Sequence, residues 1–373
     1  MTTNSVRRRK VLVLAPPLHA VGGVQNYTRT LVAAFQEVLG ADNVRVVGVP
    51  GAPEARYDGS FALSLRVKIR FAASALAAAM AWSPDLIVCT HVGVAQVARH
   101  IQKLTQVPYW TVLYGIEVWG QLPAGKQYAL QGAQRLISIT RFTLDTTIAR
   151  QSLHESRALI LPPALAKGQT FSPRPDGAAS ENSQHPIVLT VGRISASERY
   201  KGHDAMLEAW PLVLRRVPDA EYWIVGDGDD RPRLESRAQQ LGIAPSVCFL
   251  GSVSPDELAV CYDKCCIFAM PARTELDALT PRGEGFGIVF LEAMVRAKPV
   301  VGPRIGAPAE FIRSGEHGLL VDPASAAEVA NALIELLEDP ARAQRMGAAG
   351  REWVLREFSF EKFCERLREG LQA

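Results

Sequence analysis

What most constrains this chain is a pattern that runs through it twice: short apolar, strand-like runs separated by stretches of helical periodicity. Apolar runs bounded by polar turns suit strands buried on both faces. Strands that alternate with helices close into a parallel sheet covered on each side. In the first half the runs are Val11–Ala15, Val44–Val49, Leu86–Cys89, Tyr109–Leu113, Leu136–Ile139 and Ala158–Leu161, with helical stretches such as Val24–Leu39 and Val94–Lys103 between them. The second half repeats the texture with Ile187–Val191, Glu221–Val225, Val247–Leu250, Ile267–Met270, Pro299–Gly302 and Leu319–Val321. Its helices are expected over Asp204–Arg216, Pro232–Leu241, Asp256–Cys261, Ile288–Val295 and Ala326–Leu337. Between the halves, residues 166–186 carry Gly168, Pro173, Pro175, Gly177 and Pro186 and few large apolar side chains, the composition of a linker.

The expectation is an α/β protein of two Rossmann-like domains: residues 1–165, a linker over 166–186, a second domain over 187–350, and a C-terminal helix over 351–373 that packs back toward the first domain. Its 373 residues exceed what one hydrophobic core serves. Ligands of such sheets bind beyond the carboxyl ends of the strands, so two facing sheets would place a substrate cleft between them.

Charge narrows the partners. A formal net charge of +3, from 41 basic and 38 acidic residues, gives no concentrated basic face for nucleic acid. The basic cluster Arg7-Arg8-Arg9-Lys10 leads into the first strand. No apolar stretch reaches the ~20 residues that span a bilayer. Phe71–Trp82, an Ala-rich run stopped by Ser83-Pro84, reads as a packed helix. The N-terminus has no secretory pattern. The six cysteines match neither a zinc site nor a disulfide framework, so they read as reduced core thiols of a cytoplasmic protein, with no metal.

The chemistry concentrates in Gly283-Glu284-Gly285-Phe286-Gly287-Ile288 and the helical run that continues to Glu292. The glycines let the backbone turn tightly, and the first amides of the following helix have no internal partner, so an anion such as a diphosphate can dock there. Glu284 before the helix and Glu292 inside it suit sugar and ribose hydroxyls, or else simply complement the helix dipole. Val191-Gly192-Arg193 and Lys201-Gly202 supply the cations that an anionic leaving group requires. Gly22-Gly23 forms a glycine turn at a helix start, without the third glycine or the acidic strand end of a dinucleotide fingerprint. Val225-Gly226-Asp227-Gly228-Asp229-Asp230 has the look of a calcium loop but lacks its closing glutamate, so a tight turn explains it better.

Together these segments resemble glycosyltransferase family four, the retaining GT-B enzymes that use nucleotide-diphosphate sugars. The match is carried by Glu284…Glu292, Glu292-Ala293-Met294, Lys298-Pro299-Val300-Val301, Gly306…Glu310 and Glu316-His317-Gly318. Ala269-Met270-Pro271, Ile224-Val225-Gly226-Asp227-Gly228 and Phe249-Leu250-Gly251 extend it. The resemblance implies a hexosyltransferase whose first domain binds the acceptor and whose second binds a UDP- or GDP-sugar, with no cofactor and no metal. By it, Arg193 and Lys201 bind the donor diphosphate and act in catalysis with Glu284, which contacts the sugar. Glu292 holds the ribose, Gly287 and Ile288 offer amides, Gly23 approaches the phosphates, and Gly251 and Val253 flank the base.

The family commonly carries a histidine–glycine–any–acidic segment after the fourth strand. Here Tyr114-Gly115-Ile116-Glu117 stands in its place, with the acid kept and the histidine replaced. Tyr114, Glu117 and His91 are therefore candidates for the sugar or acceptor pocket, and His91 reads equally as a hydrogen-bonding or a catalytic residue. Acceptor choice is expected from loops near 51–60 and 120–126. The Arg7–Lys10 cluster, with Arg66, Lys68 and Arg70, leaves open a peripheral contact with the inner membrane face and a lipid-linked rather than soluble acceptor. The alternative is a sugar-nucleotide epimerase or another non-transferase on the same fold; an epimerase would need further acid–base residues around the sugar.

Overall fold

The computed structural model describes residues 9–18, 22–50, 64–168, 185–277 and 280–372. Arg7-Arg8, the expected acceptor loop near 51–60 and residues 169–184 of the expected linker lie outside them. The chain divides into two compact units, Met1–Gly168 with Phe358–Ala373, and Gln169–Glu357.

In the first unit the elements run β1 (Val11–Ala15), α1 (Gly23–Leu39), β2 (Val44–Gly48), α2 (Leu65–Trp82), β3 (Leu86–Cys89), α3 (Val92–Thr105), β4 (Tyr109–Leu113), α4 (Ile116–Trp119), α5 (Ala124–Gly132), β5 (Arg135–Ser138), α6 (Arg141–Gln151) and β6 (Ala158–Ile160). The described strands form a parallel sheet in the order β2-β1-β3-β4-β5-β6. Every residue of β1, β3 and β4 is buried, as runs such as Val11-Leu12-Val13-Leu14-Ala15 require when helices cover both faces. The edge strand β2 exposes Arg45, Val46 and Gly48.

The second unit follows with β7 (Ile187–Val191), α7 (His203–Arg216), β8 (Glu221–Val225), α8 (Arg231–Gln240), β9 (Val247–Gly251), α9 (Pro255–Lys264), β10 (Ile267–Ala269), α10 (Ile288–Met294), β11 (Val300–Pro303), β12 (Gly318–Val321), α11 (Ala326–Glu338) and α12 (Pro340–Glu357). Its described strands are also parallel, in the order β12-β11-β10-β7-β8-β9. The core beneath them gathers Val188, Met206, Trp210, Tyr222, Ile224 and Leu333, all fully buried. Local chemistry sets the helix starts. Ser254 and Glu257 form a reciprocal capping box around Pro255, and Thr140 and Ser325 each cap one helix, contributions of ~1 kcal/mol apiece.

The last helix, α13 (Phe360–Gln372), belongs to the first unit and packs on α1. Phe363 meets Tyr27 edge-on at 5.7 Å, the Leu165 amide donates to the Phe358 carbonyl at 2.8 Å, and Leu159 fills the space beside Gly370. The tail thus consists of two helices, and residues 351–357 continue α12 within the second unit. Two further readings change. Cys248 and Cys266 are half-buried, while Cys89, Cys261, Cys265 and Cys364 are core thiols. The Ala-rich helix starts at Leu65 and buries Phe71, Ala75, Ala79 and Trp82, leaving Leu65, Ile69 and Met80 exposed.

Candidate active site

Strand order locates the site. In the second unit the chain runs outward from β7 through β8 to β9, then crosses back to place β10 on the other side of β7. The loops that leave β7 and β10 therefore diverge, and a crevice opens beyond their carboxyl ends. The β7 loop carries Arg193 and Lys201; the β10 loop carries Glu284 and leads into α10. Gly202, at φ 88°, joins the first loop to α7 where a Cβ would strike the Pro271 carbonyl of the second, so a side chain there would force the loops apart.

Across this crevice the Lys201 ammonium meets the Glu284 carboxylate at 3.0 Å, with the two side chains 14% and 20% exposed. The Lys201 stem lies over Gly192, whose Cβ would sit 3.3 Å from it. Burial by itself lowers the ammonium's pKa, but the Glu284 carboxylate, with Tyr200 and Glu198, outweighs it and raises the pKa above its ordinary value. Arg193 pairs with Glu198 on its own loop. Both cations are thus paired with a carboxylate, and for Lys201 this spares the crevice an uncompensated buried charge, while the Arg193 side chain is 64% exposed.

Gly287, at φ 88°, forms the N-cap of α10, with Phe290 packed where its side chain would be. The amides of Ile288 and its successor open the helix without intrahelical partners. The helix has only seven residues, shorter than expected, so its dipole adds little and the site's charge rests on Arg193 and Lys201. Glu292 accepts a 2.9 Å hydrogen bond from the Tyr262 hydroxyl, and burial raises its carboxyl pKa. Gly251, at φ 70°, ends β9 and accepts from the Gly226 amide at 2.8 Å; the half-buried Val253 precedes the α9 cap.

Two features here escaped the sequence reading. His203, the first residue of α7, is buried, and burial with the Lys201 charge lowers its pKa to about 4. Asp230, on the segment with the look of a calcium loop, accepts hydrogen bonds from Arg199 and Arg233 instead. Four consecutive motif-like residues masked that role. Only Arg233, three residues further on, gave a local hint of it.

In the first unit the order reverses between β1 and β3. Gly23 starts α1 after β1, with open space where its Cβ would lie. His91 follows β3 and caps α3, its Nδ1 accepting from the Gly93 amide at 2.9 Å. Burial, then the Lys126 charge, lowers its pKa to about 3, so the ring is neutral. Tyr114 follows β4 alongside; its hydroxyl donates to the Thr90 carbonyl at 2.9 Å, and its ring stacks on His91 at 6.0 Å and meets Tyr27 edge-on at 5.5 Å. Glu117 accepts from the Tyr114 amide at 2.6 Å; burial raises its pKa and the amides of its own loop oppose that. The three first-unit candidates thus form one cluster, and Glu117 is turned toward its own backbone.

Two doubly wound parallel units, one with a cation–carboxylate crevice at its switch point, define a two-domain α/β protein of the GT-B class. Residues 176–353 match the family described as glycosyl transferases group 1. The chain is 34% identical over 265 residues to the GDP-mannose-dependent alpha-(1-6)-phosphatidylinositol monomannoside mannosyltransferase of Mycolicibacterium smegmatis, covering 69% of this chain and 68% of that one. It is 32% identical over 270 residues to the GDP-mannose-dependent monoacylated alpha-(1-6)-phosphatidylinositol monomannoside mannosyltransferase of Corynebacterium glutamicum, covering 70% and 68%. The structure of Anabaena HepE in complex with UDP matches 97% of this chain and 99% of that one with a TM-score of 0.73; at 18% identity it bears on the fold alone. The chain belongs to the glycosyl transferases group 1 family and is a hexosyltransferase. The epimerase alternative is not favoured by these relatives.

Proposed function

We propose that this enzyme moves a hexose from a nucleotide-diphosphate sugar to a hydroxyl of a glycan or lipid-linked acceptor, with retention at the anomeric carbon and without a metal. The observation that carries the reading is the Lys201–Glu284 pair on the two loops that part at the β7/β10 switch point. In this reading Lys201 and Arg193 take the diphosphate, with the Gly287 and Ile288 amides beside them. Glu284, released from part of its pairing with Lys201, accepts hydrogen bonds from the sugar, and Glu292 from the ribose. The bond from the anomeric carbon to the diphosphate breaks as the acceptor oxygen bonds on the same face, and the acceptor proton leaves with the diphosphate. Charge stabilisation and positioning then supply the rate enhancement. The first unit supplies the acceptor side, with Tyr114 in the place of the family's histidine.

GDP-mannose is the first donor to try, because it is named for both relatives above. Titration calorimetry with GDP-mannose, UDP-glucose, ADP-glucose and dTDP-glucose, followed by product analysis in EDTA, tests the whole proposal. One donor should bind in the micromolar range and be turned over in chelator. Failure of every donor at millimolar concentration would sink the reading, and strict dependence on magnesium or manganese would remove its metal-free part.

A lipid-linked acceptor at the inner face of the cytoplasmic membrane is favoured by one surface of the first unit. Leu65, Ile69 and Leu104 are 71%, 60% and 70% exposed on α2 and α3, beside an apolar groove of about 320 Å³. Neither helix contains an acidic residue, while Arg66, Lys68, Arg70, Arg99 and Lys103 lie on them. Exposed apolar side chains flanked by cations are the chemistry of an anionic bilayer surface. Among the described residues no helix is long and apolar enough to cross a membrane. Sedimentation with phosphatidylglycerol vesicles should retain the enzyme and phosphatidylcholine vesicles should not. Equal recovery with both would count against a charged-membrane contact, and self-association at this face would appear as a dimer by ultracentrifugation.

A further inference from the structure

The loop that carries both cations, residues 192–202, is not secured by the sheet. Past Gly192 it leaves β7, and much of it is a tight 3-10 turn over Ala196–Lys201 with Glu198 outside helical geometry. It is fastened sideways to the turn after β8. The Ile194 amide donates to the Asp227 carbonyl at 3.1 Å, and the Asp230 amide donates to the Ile194 carbonyl at 3.1 Å. The Ala196 amide donates to Asp229 Oδ1 at 3.0 Å. These bonds hold the beginning of the loop.

Its far end is held by the Arg273 amide, which donates to the Tyr200 carbonyl at 2.6 Å, and by charge. Arg199 Nη2 and Nε donate to Asp230 at 2.7 and 3.1 Å. Arg233 Nη2 and Nε donate to the same carboxylate at 2.7 and 2.9 Å. Arg233 then reaches Asp204 with a second pair of bonds, at 2.7 and 2.9 Å. Arg199 lies two residues before Lys201 and Asp204 three after it, so Lys201 sits on the span between two anchors that share one centre. The Asp230 side chain is only 5% exposed. Its guanidinium partners are planar and bidentate, which fixes direction as well as distance.

We propose that Asp230 is a positioning residue for transfer: through Arg199 and Arg233 it holds the Arg193–Lys201 loop in the one conformation that presents both cations to the donor diphosphate. This rests on the assignment of that loop to the donor. Asp230 need not touch substrate. Its effect follows from the steep dependence of transfer on geometry, where a displacement of about 1 Å can lower turnover ~100-fold.

The test compares Asp230→Asn, Asp230→Glu and Lys201→Ala with the parent enzyme and with Val213→Ala, a core truncation on α7 remote from the proposed site. Nucleoside-diphosphate binding is measured by calorimetry and donor kcat and KM by steady-state assay, all well below the melting temperatures. Asp230→Asn is expected to weaken diphosphate binding ~10-fold and to lower kcat/KM ~100-fold. Asp230→Glu should restore most of both, and Val213→Ala should lose stability with kinetics unchanged. Arg199→Gln, on the half-exposed limb of the clamp, should move the same constants in the same direction with little change in melting. It also keeps the idea open to refutation should Asp230→Asn fail to fold.

If the parent enzyme bound no nucleoside diphosphate, or Lys201→Ala bound it unchanged, the donor assignment itself would fail. If Lys201→Ala lost binding while Asp230→Asn, or Arg199→Gln in its place, kept parental constants, the positioning role would be wrong and the donor assignment would stand. Asp230→Asn and Val213→Ala losing activity in proportion to stability would likewise reduce the network to a structural one.

Discussion

In the first unit β1 and β3 part at the switch point, and the loops beyond them and β4 hold glycine, a neutral buried histidine and a tyrosine. In the second unit β7 and β10 part, and the loops beyond them hold Arg193, Lys201 and Glu284. Both sheets are parallel and covered on two faces, but the strand order is β2-β1-β3-β4-β5-β6 in one and β12-β11-β10-β7-β8-β9 in the other. The reversal falls at a different place in each, and the loops that leave it carry different charge. A fold of this kind fixes where a crevice opens; the loop residues alone decide what enters. The second unit suits an anion. The first, where His91 is neutral and Glu117 is turned to its own amides, suits a ligand read by shape and hydrogen bonds.

The strongest way to break this contrast is to remove a charge from each side. Lys201→Ala and Glu284→Ala are each expected to lower transfer ~10³-fold while circular dichroism still reports a folded chain. Glu117→Gln should leave donor affinity within a few-fold and raise only the acceptor KM, because its carboxylate shapes its own loop. Steady-state kinetics with donor and acceptor varied in turn would read both. Full turnover by either second-unit variant, or loss of donor binding in Glu117→Gln, would erase the distinction.

A smaller effect is expected at Tyr114. Its hydroxyl spans to the Thr90 carbonyl and its ring rests on His91, so Tyr114→His removes that bond and restores the family's residue. The stability loss should be ~1 kcal/mol. Donor profiling should then show altered preference among sugars, and an unchanged preference and rate would mean that the residue only supports the loop.

The smallest effect on transfer is expected from pH, which acts on stability and sharpens the comparison in that way. His203 and His317 in the second unit are lowered to about 4, and His91 in the first to about 3, each chiefly by burial. An unfolded histidine titrates near 6.5, so the unfolded chain binds more protons between there and the folded values. Stability is full above about pH 6.5 and falls as pH drops toward 4, by up to roughly 3 kcal/mol for His203. Melting curves from pH 7.5 to 4 should decline, with limited proteolysis opening the second unit first because it carries two of these rings. A level melting temperature over that range would contradict it.

Much of this was legible from the residues. β1, β3, β4, β7 and β8 lie where their apolar runs end, and the other strands are displaced by about a residue at one or both ends. Glu284, Lys201 and Arg193 stood out as charged residues beside glycine turns at strand ends, and the structure brings Lys201 and Glu284 together while Arg193 pairs with Glu198. The C-terminal helix pair was blurred, since one amphipathic pattern runs through Arg351–Phe358 without a strong breaker. Asp230 could not be singled out, because Arg233 lies only three residues on but Arg199 and Asp204, which complete the network, come from another segment.

Local periodicity by itself determined that this chain makes two buried parallel sheets, since alternating apolar runs and amphipathic helices have few other ways to hide their surface. Glycine-rich turns marked the loops where an anion could be met. Only the tertiary structure decided that Lys201 meets Glu284 across the parting of β7 and β10, that Asp230 ties their loop from the side, and that Tyr114 rests on His91. Each of those contacts joins residues far apart along the chain, and sequence spacing carries no record of such distances until the sheet order brings them together.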